Sequence, residues 1–395
     1  MPHIADTDAL VADGVLTPDQ ARIIKARSRQ TMIALAINSL LTGGIGAAAL
    51  GFVVLLADAA AVAVTGALFL AVGVAIIARA DGIYRMFGTA AALIGAGMLT
   101  SGATIELTGS YPESASVVLL ALGAGLAGLA ALALWRGPGT VRFVAGAVML
   151  MGGAVHLAGL YFGLAETGTQ GAAVMLAHLY AAGLIALAGG MVDVRAVTAF
   201  AIVPFAQMLD TSTAYVHAAY VFHSPEPTLS ILQIAALGAV CVWITMRQPD
   251  RIGRHAGILA IVGFGVANLC FLVGSLWGDV VGLSFWEAAT PYPQSGDWTA
   301  RDAARAAFQA RTLVISEHVF AVVWAGLLAA AAVWAARGNR RGLFNAAMTF
   351  GAIHAYTQVF ESFYDQPVAY VIGGLAAIPL AWGLWRLNER FADAE

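Results

Sequence analysis

Residues 115–136 read ASVVLLALGAGLAGLAALALWR, an apolar run with no ionisable side chain before the closing Arg136. As a helix rising roughly 1.5 Å per residue, such a run of about 20 residues crosses the roughly 30 Å hydrocarbon core of a bilayer. Gly123, Gly125 and Gly128 inside it give the small-residue spacing that lets helices approach closely in lipid. Runs of this kind recur along the chain and predict twelve spans, at 31–56, 59–79, 85–107, 115–135, 141–163, 171–191, 196–221, 229–247, 255–278, 312–336, 342–364 and 367–386. The fold class is therefore all-α: a polytopic transmembrane bundle over residues 31–390, preceded by a cytoplasmic helical hairpin at 1–30.

Composition agrees. Of 395 residues, 60% are hydrophobic and 11% charged, and the mean hydropathy is +0.81. Soluble domains carry roughly 25% charged residues. The deficit excludes a soluble enzyme, a nucleic-acid binder and a disordered scaffold. Lys25 is the only lysine, which excludes a phosphate-binding Walker loop. Cys241 and Cys270 both fall in apolar runs, so a disulfide framework, a CxxC pair and a four-cysteine zinc site are absent. The first 30 residues are polar and no cleavable signal is visible.

Arginines orient the spans. Arg22, Lys25, Arg27 and Arg29 precede the first, and Arg79/Arg85, Arg136/Arg142, Arg195, Arg247/Arg251/Arg254, Arg337/Arg340/Arg341 and Arg386/Arg390 mark every second loop. Basic residues collect on the cytoplasmic side, which places both termini there, in a bacterial inner membrane. The long outer loop at 279–311 is the exception. Its Trp286, Tyr292 and Trp298 favour the membrane interface, and 299–311 reads as an amphipathic helix with Arg301, Asp302 and Arg305 on its polar side, a lid or an interfacial connector. The arginines opening successive hairpins recur about every 53–59 residues, a period compatible with six helical-hairpin repeats; evenly looped membrane proteins show the same spacing without repeating. At the N-terminus, Thr17-Pro18-Asp19-Gln20 is a helix start, with Thr at the N-cap, Pro at the first helical position and Gln at the third.

An ionisable group within a bilayer costs roughly 2.5–3.5 kcal/mol or more, so each needs a reason. His156, His178, His217, His318 and His354 all fall in the outer halves of their spans, with Asp210, Asn268, Glu317, Gln358 and Glu361 at similar depth. In the seventh span Asp210, Thr213 and His217 share a helix face, Gln207 is adjacent, and Pro204 denies the Phe200 carbonyl its helical partner. His354, Gln358, Glu361 and Asp365 form one stripe in the eleventh. If the ascending helices line the interior, His156, Asp210, Asn268 and His354 meet around an outward-opening polar cavity. The competing reading makes each of them interhelical glue.

Three functions fit. In the first, the protein transports or permeates a small solute, proton-linked, with Asp210, His217, Gln207, Asn268, His156, Glu317, His318, His354 and Gln358 as substrate-binding or proton-relay groups. In the second, it is a non-catalytic membrane subunit, assembly factor or sensor whose residues 1–30 dock a cytoplasmic protein. In the third, the histidines hold haem b, copper or zinc; no His-His pair, HxH or HExxH supports it. The first two need no cofactor, and no nucleophile elbow points to an enzyme.

The stretches LVADGVLTPDQARIIKAR (10–27) and FNAAMTFGAIHAYTQVFESFYDQPVAYVIGGLAAI (344–378) resemble the two ends of an uncharacterised bacterial membrane-protein family, domain of unknown function 2157. The resemblance implies a cytoplasmic helix pair leading into the first span and a closing hairpin. It carries no functional residue.

Overall fold

The structure, a computed structural model, describes residues 7–29, 58–79, 83–209, 214–216, 221–223, 226–248, 250–290, 298–338 and 340–363, with isolated positions in 32–51 and 367–382. The chain forms two compact units, Met1–Glu166 and Thr167–Glu395. Eight described helices are long and apolar enough to cross a membrane, and the protein is a multi-pass helical membrane protein.

The first unit holds α1 (Thr7–Ala12), α2 (helical over 18–29), α3 (Ala59–Arg79), α4 (Ile83–Ser110), α5 (Pro112–Arg136) and α6 (Gly139–Glu166). The helix start at α2 is built as its sequence predicts: the Gln20 N–H donates to Thr17 Oγ1 (3.2 Å) and the Thr17 N–H to Gln20 Oε1 (2.9 Å), a reciprocal capping box. α3 pairs with α4 and α5 with α6, in antiparallel hairpins where backbone touches backbone. A Cβ on Gly66 would stand 2.3 Å from the Leu99 nitrogen, and one on Gly95 2.3 Å from that of Leu70. In the next hairpin a Cβ on Gly123 would stand 2.2 Å from the His156 nitrogen, and one on Gly152 2.6 Å from that of Ala127. No side chain fits at such distances, so these positions accept only glycine. Gly66 and Gly123, like Leu99 and His156, are 57 positions apart, and Gly95 and Gly152 likewise: both hairpins use one register. The hydroxyls of Thr100, Ser101, Thr104 and Thr108 donate to carbonyls one turn back on α4 itself.

The second unit holds α7 (Ala172–Val192), α8 (Arg195–Ala199), α9 (Ile202–Gln207), β1 (Ala214–Val216), β2 (Val221–His223), α10 (Pro227–Arg247), α11 (Arg251–Trp277), β3 (Asp279–Val280), α12 (Leu283–Ala289), α13 (Trp298–Gln309), β4 (Val314–Ile315), α14 (Glu317–Arg337) and α15 (Arg341–Phe363). α11 is its axis, touching α7, α8, α9, α10, α14 and α15. Its core joins Phe271 of α11 to Phe320, Trp324 and Leu328 of α14 and Ala347 of α15.

The described helices long and apolar enough to span a membrane are α3–α7, α10, α11 and α14. The expected spans 31–56 and 367–386 lie largely outside the described residues. The one at 342–364 is present as α15, which is not among the eight. The single helix expected at 196–221 is corrected. Pro204 has no N–H for the Phe200 carbonyl, which the Val203 N–H takes instead at 3.1 Å, and the chain becomes α8 and α9 followed by the antiparallel strands β1 and β2. Among the described residues, two short strand pairs thus interrupt the helices. The amphipathic helix expected at 299–311 is present as α13.

Candidate functional site

The second unit brings three of the sequence-selected residues to one place. Asn268 on α11 is 4% exposed. Its Nδ2 donates to the Phe264 carbonyl (2.7 Å), and its Oδ1 accepts Trp324 Nε1–H from α14 (2.7 Å). The Trp324 indole lies parallel to Phe271 (centroids 6.4 Å apart) and meets the His354 ring of α15 edge-on at 4.7 Å. One turn along α15 stands Gln358. His354 Nδ1 and Gln358 Nε2 are both buried and close no hydrogen bond. A buried polar group without a partner costs roughly 1–3 kcal/mol, so these two nitrogens are the atoms a bound solute or water would satisfy. A separate apolar cavity of about 180 Å³ lies between α10, α11 and α14, bounded by Phe271 and Phe320 with Thr228 as its one polar lining residue; no residue of α15 lines it.

Asp210, Thr213 and His217 are outside the described residues. His156, in the first unit, bonds through Nδ1 to the Leu120 carbonyl (3.0 Å), and His178 to the Val174 carbonyl of its own helix (2.8 Å). Gln207 is the last residue of α9, half-buried. Glu317 and His318 stand at the start of α14, because the expected span 312–336 begins only at Glu317, after 314–315 pair as β4 with β3. The two side chains pair with each other at 3.7 Å at the helix start, and that of His318 is 85% exposed.

Sequence reasoning missed a constellation at the α7–α8 turn. Asp193 closes α7 in the left-handed conformation (φ 57°), which a short polar side chain tolerates. Its Oδ1 accepts His255 Nε2–H (3.0 Å); with that proton placed, His255 Nδ1 accepts from Thr198 Oγ1 (2.6 Å). Arg251 and Arg254 flank the carboxylate at 3.5 and 3.7 Å, and Arg251 also donates to the Gly190 and Met191 carbonyls at the α7 terminus, where a cation suits the helix dipole. The His255 hydrogen bond, then the two arginines, hold the Asp193 carboxyl below the usual range. Hydroxyl, imidazole and carboxylate thus stand in the order of a hydrolase triad. Thr198, however, is 1% exposed, and the Gly189 backbone packs so tightly on it that a Cβ there would be 2.3 Å from Thr198 Oγ1. No acyl carbon reaches that hydroxyl, and the constellation ties α7, α8 and α11 together. The signal for it was present in the sequence: a histidine one residue after Arg254, opposite the only acidic residue in the Arg195 loop.

The carboxylates of Glu226 and Asp279, at the ends of α10 and α11, are a second buried group that a reading of the spans passes over. Among the described residues no three His, Cys, Asp or Glu side chains lie together as metal ligands. Set against protein-family models, curated proteins and solved structures, the chain finds no match in any of the three.

Proposed function

We propose that this multi-pass membrane protein takes a small polar solute into the second unit and passes it across a bacterial inner membrane, with both termini cytoplasmic. The observation that carries the reading is the pair of unsatisfied nitrogens, His354 Nδ1 and Gln358 Nε2, buried among apolar helices beside Asn268 and Trp324. The solute class that fits bears a hydroxyl, carbonyl or carboxylate oxygen able to bridge them. The shared register of the α3/α4 and α5/α6 hairpins supports a repeated-hairpin origin, of the kind on which many transporters are built. The reciprocal cap at Thr17 and Gln20 supports the helix pair expected from the resemblance to the domain of unknown function 2157 family.

The test is uptake of labelled acetate, glycerol and glycine into proteoliposomes. One of the three should enter above empty liposomes, and His354→Ala and Gln358→Leu should each reduce that flux at least about tenfold. Flux at the empty-liposome level for all three, or flux indifferent to both substitutions, overturns the reading. A second reading, a subunit or sensor docking a cytoplasmic partner, is favoured by the exposure of Val15, Ile23 and Ile24 on the non-spanning segment; co-purification that is lost with Val15→Ser/Ile23→Ser distinguishes it.

A further inference from the structure

Glu226 immediately precedes Pro227, the first residue of α10, and Asp279 follows α11 across a turn at Gly278, whose φ of +68° favours glycine. Each carboxylate caps the other's neighbour. Asp279 Oδ2 accepts the Thr228 N–H of α10 (2.9 Å), while Glu226 accepts the N–H groups of Gly282 (3.1 Å) and Ser284 (2.7 Å), the latter in the first turn of α12. On its other side the segment is held by β4 and by the Thr312 hydroxyl, which donates to the Val281 carbonyl (2.8 Å). Glu226 is 0% and Asp279 6% exposed.

Two like charges cannot both be buried cheaply. Burial pushes both carboxyls above their usual range, and for Glu226 the Asp279 charge adds to the push. Among the described residues neither has a cation partner. Of the charged groups on adjoining elements, Glu287 of α12 pairs with Arg305 of α13 (3.7 Å) and Glu317 with His318 at the start of α14 (3.7 Å), and no arginine figures among the influences on either carboxyl. Asp279 Oδ1 and the hydroxyls of Thr228 and Ser284 are buried and close no hydrogen bond, although the Thr228 hydroxyl lies beside Asp279 and that of Ser284 beside Glu226. Either hydroxyl can donate to an ionised carboxylate, which offsets part of the push of burial; a protonated Oδ1 reverses the bond, donating to a hydroxyl oxygen that is there to accept.

We propose that Glu226 and Asp279 form a proton-binding site that sets how firmly the 279–290 segment is held against the end of α10. The sign follows from linkage. A carboxyl that protonates more readily in the folded state favours that state while protonated, and the gain is lost as pH rises through its raised value. The segment is therefore fastened at lower pH and loosens as pH rises. The inference rests on this end of the helices alone and is independent of any solute at His354.

Hydrogen exchange of the full chain in micelles, corrected for the intrinsic pH dependence of exchange, tests it. Protection of 279–290 should fall about tenfold between pH 5 and pH 8, while the exchange of α3 stays level. Asp279→Asn keeps an acceptor for Thr228 and removes a charge; it should hold protection constant across that range, and Glu226→Gln should flatten the profile likewise. A level wild-type profile, or a slope that persists in both variants, overturns the proposal. So does recovery of protection at pH 8 on adding sodium or calcium chloride, which would assign the site to a hard cation instead.

Discussion

The α5/α6 and α10/α11 hairpins share a register and differ in what fills it. Gly123, Ala130, Gly152 and Gly159 of the first correspond, 111 positions on, to Ile234, Cys241, Gly263 and Cys270 of the second. In the first, backbones meet directly: a Cβ on Gly152 would be 2.6 Å from the Ala127 nitrogen. In the second, larger residues hold the helices apart, and a Cβ on Gly263 would find its nearest atom, Ile234 Cγ2, at 3.4 Å. Close approach leaves no room for a site: the α4 hydroxyls turn back onto their own helix, and that of Ser116 donates straight across the hairpin to the Gly159 carbonyl (3.0 Å). The second unit's polar group lies on another side of α11, where Asn268 meets Trp324 of α14 and that ring meets His354 of α15.

The sharpest way to break this contrast is one substitution in each register. Gly123→Ala drives a methyl to 2.2 Å from the His156 nitrogen and should cost about 2–4 kcal/mol, since the hairpin must part to admit it. Gly263→Ala meets Ile234 Cγ2 at 3.4 Å and Ile202 Cδ1 at 4.0 Å, ordinary contact distances, and gains helix propensity of about 1 kcal/mol, so it should be neutral within about 1 kcal/mol. Reversible unfolding in mixed micelles measures both. Equal costs would show that the difference in spacing does not govern stability.

The polar centre of the second unit should give the next largest effect. Trp324→Phe keeps a ring against Phe271 but leaves Asn268 Oδ1 buried without a donor, at a cost of about 1–3 kcal/mol. Adding Asn268→Leu should recover part of that loss, as a double-mutant cycle reads directly. If the double variant loses the simple sum, the 2.7 Å contact carries no coupling.

In the first unit the matching polar contact is local and exposed. Thr17→Ala removes one half of the capping box and should cost about 1 kcal/mol, seen as faster exchange in residues 18–29 with the hairpins α3/α4 and α5/α6 unchanged. Propagation into those hairpins would contradict the independence of the capping box from their glycine-lined contacts.

What the sequence disclosed follows the range of the forces involved. The capping box at Thr17–Gln20 is a four-residue signal and is present as predicted; so are spans such as Ala59–Arg79, because apolar length alone selects them. Asn268 and His354 stand out because a polar group in an apolar run is costly. That they meet at Trp324 was not legible, since tryptophan in such a run reads as packing. The helix expected at 196–221 failed because a face-by-face reading carried a single period through Pro204. Glu226, Asp279 and Asp193 escaped notice because a carboxylate in a loop looks solvated; only the fold reveals that two of them are buried and that the third is bound by His255 and two arginines.

The smallest expected effect tests whether acid sensitivity belongs to the spaced unit alone. Asp193 is about half-exposed, so solvent screens its pairs. The sign is nevertheless fixed. Its carboxyl is held below the ordinary value of 3.8, so it contributes stability that is present above that value and is lost as pH falls below it. On acidification, exchange should quicken first at the α7–α8 turn and the start of α11, while α3 and α5, whose contacts are backbone against backbone, keep their protection. Asp193→Asn should exchange faster at neutral pH and show a shallower acid response at that turn. If the turn and the glycine-lined hairpins respond to acid together, stability is shared across the chain rather than set by what each pair of helices places between them.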